Sequence, residues 1–97
     1  MPDETLNTIQ LQKEFLGGHD FVKLGQSIAH ENWQIAGMTA QKMHRMAKAA
    51  GLFMFDRSFI SMKQCIAHKN KQQAQDVLAS VTAKRVQLLN NFEKEKL

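Results

Sequence analysis

Ninety-seven residues with 43% apolar content allow one domain with one core of modest size and exclude a second. There is no Tyr, the only Pro is Pro2, and Met, Ala, Leu, Gln and Lys recur throughout, so the composition favours helices over sheets and predicts an all-α chain. The net charge of +4 is unevenly spread: from Asn32 to Phe92 the only acids are Asp56 and Asp76, against nine Lys and Arg side chains from Lys42 to Arg85, which suits an acidic partner.

Thr5 or Asn7 can cap a first helix with Leu6, Ile9, Leu11, Phe15 and Leu16 on its apolar side, ended by Gly17-Gly18. A second, short helix with Phe21, Leu24 and Ile28 is expected to be capped by Asp20, and His30-Glu31-Asn32 closes it and caps the next. The third helix is the longest uninterrupted pattern in the first half of the chain. Trp33, Ala36, Ala40, Met43, Ala47 and Ala50 form its buried seam, Ile35, Thr39 and Met46 are expected to widen that arc, and Gly51 stops it. Beside the seam, Gly37, Gln41, His44 and Lys48 form a second stripe, extended by Gln34 and Arg45 and read as surface. An apolar elbow, Leu52 to Phe55, leads to Asp56, the expected cap of a fourth helix through Phe59, Met62 and Ile66 to about Asn70. His68 to Gln73 reads as a turn, and a fifth helix follows on Ala74, Val77, Leu78, Val81, Arg85, Leu88, Leu89 and Phe92. Short connections favour antiparallel neighbours. The expected architecture is an up-and-down four-helix bundle over residues 18–92, braced by an N-terminal helix in 1–17, with 93–97 frayed.

Enzyme signatures are absent, and acids are too sparse for a catalytic carboxylate pair or a metal site. Cys65 has no partner at ligand or disulfide spacing and reads as a small core residue. His19, His30 and His68 fall at predicted helix boundaries, where a histidine is ordinarily solvated or hydrogen-bonded. His44 stands apart, mid-helix, with Gln41 one turn before it, Lys48 one turn after it and Arg45 adjacent. A neutral imidazole exposed in that setting is a good nucleophile toward a phosphoryl group, and flanking cations stabilise the transferred charge. No run approaches the ~20 apolar residues of a membrane span and the N-terminus carries no signal pattern, so a cytoplasmic protein is expected.

The series HENW, AGMTAQKMHRMAKAAG, LFMF, DRSFISMKQCIA and QAQDVLASVTAKRVQLLN resembles the histidine-containing phosphotransfer (HPt) domains over roughly Gly18 to Asn91. That family consists of four-helix bundles in which one exposed histidine, in a pattern like HxLKGxxxxxG, relays phosphoryl groups to and from a receiver-domain aspartate. The resemblance implies a phosphocarrier or binding module rather than a turnover enzyme. It implies no cofactor, and as partner a response-regulator receiver domain, a hybrid histidine kinase, or both. Two registers fit. With His44 at the phosphoacceptor position, Met46 matches the apolar position, but Ala47 stands where lysine is expected and Lys48 where glycine is expected. With Gln41 there instead, Met43 and Gly51 match, Trp33 sits at the usual distance, and His44 takes the lysine position. The first register makes His44 the candidate phosphoacceptor with Gly37, Gln41, Arg45 and Lys48 as binding residues; the second describes a phosphorylation-dead docking module on the same face. From a different class, a small basic nucleic-acid-binding module is the alternative, disfavoured by charges scattered over three helices. A bare assembly bundle, with Met38 and Ile60 as exposed apolar contacts, is a third.

Overall fold

The structure, a computed structural model, describes the backbone of residues 10–95 and the side chains of residues 10–91. The expected cap at Thr5 or Asn7 and the apolar contacts of Leu6, Ile9 and Phe92 lie outside the described residues. Among the described residues the chain is all-α: α1 is described over 10–16, α2 spans His19–Ala29, α3 Trp33–Ala49, α4 Asp56–Ala67 and α5 Lys71–Glu95. A single 3₁₀ turn, Phe53–Phe55, forms the elbow between α3 and α4. Each of α2 to α5 packs on its neighbour in the chain, and α5 also contacts α2.

The core follows the apolar periodicity. Ala36, Ala40, Met43 and Ala47 are fully buried along α3, where their small side chains bring α2 and α4 close, and Leu24, Ile28, Phe59, Met62, Ala74 and Val81 meet them from the other helices. Phe15 of α1 inserts edge-on among Phe21, Phe55 and Phe59, with ring centroids 5.3, 5.1 and 6.1 Å away. α1 is thereby locked over one end of the core, and Gln12 adds a hydrogen bond to the Ala50 carbonyl at 3.0 Å. One expected contributor differs. Ile35, placed by pattern on the buried arc, is exposed because it falls at the outer edge of α3, whereas Thr39 on the same arc is buried.

The helix ends follow the local pattern only in part. Asn32 caps α3 as expected, its side chain accepting from the Ile35 N–H, and Gly51 adopts φ 75 beyond the C-terminus. Asp20 is not a cap. Gly18 occupies that position in the left-handed region, and Asp20 in the first turn meets Lys42 of α3 at 3.4 Å, a surface pair of small energetic consequence. The last connection is shorter than the polar run suggested: α5 begins at Lys71, because the Asn70 side chain accepts from the Gln73 N–H and Lys69 takes φ 55 to make the turn. α5 continues to Glu95.

Gly18 is also where the bracing helix is fastened. Arg85 of α5 donates from Nε to the Leu16 carbonyl at 2.9 Å and lies over the Phe21 ring at 5.4 Å. A Cβ on Gly18 would stand 2.5 Å from Arg85 Nη2, on a backbone at φ 89 that L side chains rarely adopt. Gly18→Ala is therefore expected to cost about 1–3 kcal/mol of stability. A urea titration with an unchanged midpoint would contradict the strain.

Candidate functional site

The polar stripe of α3 is split by the structure. Gln41, Arg45 and Lys48 are exposed, Gly37 is half-buried, and His44 is 5% exposed. The expectation of an exposed His44 is thus corrected. The reason is its position on the helix: His44 lies on the flank of the stripe that turns toward α4, and α4 presents a large ring there. Its imidazole stacks on Phe59 with centroids 5.7 Å apart and planes at 21°.

Both ring nitrogens are engaged. Nε2 lies 2.8 Å from Asp56 Oδ1, and Nδ1 lies 2.9 Å from Lys63 Nζ. An ammonium can only donate, so Nδ1 accepts and is unprotonated; Nε2 then carries the proton and donates to the carboxylate. The partners determine the tautomer and explain why burial of the ring leaves no side-chain polar atom unsatisfied. This also accounts for Asp56, the expected cap of α4. It is the first residue of that helix, where a negative charge is favourable, but its carboxylate reaches across to α3 instead of capping. Asp56, Phe59 and Lys63 recur at three and four residues on α4, so one strip of that helix supplies the acceptor, the stacking face and the donor around His44.

What remains on the outer surface of α3 is a face of mixed character. Met38 is 66% exposed and lines a shallow groove with Gln41, Lys42, Arg45 and Met46. Across the seam on α4, Ile60 is 50% exposed between half-buried Lys63 and exposed Arg57. The residues that sequence reasoning singled out therefore separate into two sets: Gln41, Arg45 and Lys48 share the open face with Gly37 at its edge, and His44 belongs to the interior network with two residues that pattern reading had not joined to it, Asp56 and Lys63. The only advance signal for that network was the spacing of Asp56, Phe59 and Lys63 along one helical strip.

Chemically, the open face offers cations, one amide and apolar methyl groups, which suits binding of an acidic surface. The imidazole, capped on both nitrogens and stacked, has no free lone pair directed at solvent. The free thiol of Cys65 is buried, and no cluster of metal-binding side chains occurs among the described residues. No helix among the described residues is long and apolar enough to cross a membrane. Comparison with protein-family models, with curated proteins and with solved structures gives no match for this chain.

Proposed function

We propose that this chain is an up-and-down four-helix bundle of the HPt-like kind, with an additional N-terminal helix, that docks a response-regulator receiver domain in the cytoplasm without carrying phosphoryl itself. The observation that carries this reading is the opposite placement of two residues three apart on α3: His44 is buried with both nitrogens bonded, while Gln41 is exposed on the outer face. That favours the register in which Gln41 holds the phosphoacceptor position. A glutamine amide is not a phosphoryl acceptor, so the face binds and does not transfer. Arg45, Lys48 and Lys42 surround Gln41 with positive charge, and Met38 gives an apolar contact at the centre, the combination expected of a protein-docking patch opposite an acidic partner.

The nucleic-acid alternative has fewer cations at its disposal than the charge count suggests. Lys84 donates toward the Met54 carbonyl and Ser58 at 3.5 and 3.2 Å, and Arg85 is committed to α1 and Phe21. The remaining charges still face several directions.

The test is to measure binding of the purified chain to receiver domains from the same organism by titration calorimetry at two salt concentrations, and to incubate it with the same receivers after phosphorylation. Binding that weakens with salt, with no acid-labile label on the chain, is the expected result. Label that appears on the wild-type chain and disappears in His44→Gln would overturn the phosphorylation-dead reading, and the absence of binding to every receiver would overturn docking.

A further inference from the structure

The interior network reaches the docking face through Lys63. Two contacts give the register of α3 against α4: a Cβ on Gly37 would lie 3.7 Å from Ile66 Cγ2, and His44 stacks on Phe59. The interval from Gly37 to His44 along α3 equals that from Ile66 back to Phe59 along α4. The helices therefore run antiparallel, and Lys63 lies at the level of Ala40 and Gln41. Its stem crosses the seam to His44, and the residue is half-buried.

Lys63 differs from Lys42, Arg45 and Lys48 in bonding to an imidazole. Lys42 pairs with a carboxylate; Lys63 has none among the described residues and donates instead to a neutral imidazole at 2.9 Å. That acceptor engages one N–H and removes none of the positive charge, so the ammonium is held in place with two donors left for a ligand. A cation whose rotamers are already restricted loses less entropy on binding than a free surface lysine. His44 can act as acceptor only while Asp56 holds the proton of its ring on Nε2.

We infer that Lys63 is the residue of the docking face that binds a carboxylate of the partner, and that His44 is its positioning residue, with Asp56 setting the tautomer. This rests on the docking reading for its partner but not for its geometry. The charged groups near the ring are Asp56 and Lys63 from α4 and, on α3, Arg45 adjacent and Lys48 one turn on. Only Asp56 and Lys63 bond to it.

Four chains decide the matter at neutral pH: wild type, Lys63→Met, His44→Gln and His44→Leu. Glutamine can reproduce both bonds, its amide oxygen accepting from Lys63 and its NH₂ donating to Asp56; leucine can make neither. Affinity for the receiver is expected to fall by about 10-fold or more in Lys63→Met, to fall comparably in His44→Leu, and to stay within about 3-fold of wild type in His44→Gln. The free chain supplies a readout that needs no partner. A slowly exchanging Lys63 ammonium resonance in proton–nitrogen spectra is expected in wild type and His44→Gln and not in His44→Leu. A wild-type chain that binds the receiver while Lys63→Met binds equally well overturns the assignment of Lys63 and leaves docking intact. A chain that binds no receiver removes docking and this role together. A Lys63 signal indifferent to His44→Leu overturns the positioning role on its own, and circular dichroism of that variant separates this result from loss of fold.

Discussion

Phe59→Ala is expected to lower the unfolding free energy by about 3–5 kcal/mol. Phe59 is fully buried and touches both halves of the structure, meeting Phe15 and Phe55 on one side and the imidazole of His44 on the other. Truncation leaves a cavity where three aromatic rings meet and removes the surface on which the His44 ring lies. A domain of this size has a total stability of about 5–15 kcal/mol, so the loss is a large share of the whole. Urea unfolding followed by circular dichroism measures it directly. Phe53→Ala, at a position 65% exposed on the elbow before α4, is the control and should stay within about 0.5 kcal/mol of wild type. A Phe59→Ala midpoint close to that of the control would mean that the aromatic cluster does not hold α1 and α4 together as described.

Gln41→His is expected to create the function that the wild-type chain is proposed to lack. The new imidazole would stand on the exposed face of α3, free of the Asp56 and Lys63 bonds that occupy His44. With a phosphorylated receiver docked there, a ring nitrogen attacks the phosphorus, the bond from phosphorus to the aspartyl oxygen breaks, and the carboxylate leaves with the electron pair. The change is one of kind: acid-labile, alkali-stable label rising from background in Gln41→His, with none on the wild type and none on Gln41→Ala. The substitution lies on the solvent side, so stability should change by less than about 0.5 kcal/mol. A Gln41→His chain that still binds the receiver yet takes no label would show that residue 41 is not at the transfer position, and the register built on it would fall.

The helical class, most of the helix boundaries and nearly all of the core are legible in the residue pattern. These depend on patterns local to each helix: the three-and-four recurrence of Ala36, Ala40, Met43 and Ala47, the Asn32 cap, and the left-handed Gly51. Each is legible because a helix has a fixed period and a fixed chemistry at its ends. The same patterns identified the α3 face with Gln41, Arg45 and Lys48, all exposed in the structure. They went wrong where a side chain had a choice of partners beyond its own helix. Asp20 and Asp56 both looked like caps, but each carboxylate reaches a neighbouring helix instead, to Lys42 and to His44.

His44 is where the tertiary structure alone decided. Its angle on α3 puts it at the border of the buried arc, where one helix gives no ground for choosing between solvent and core. That choice was made by α4, which lines Asp56, Phe59 and Lys63 along one strip and so supplies a donor, an acceptor and a stacking face to an imidazole that would otherwise be costly to bury. Periodicity reports which way a residue points from its own axis; whether a polar group can be buried there depends on what the next helix brings to it.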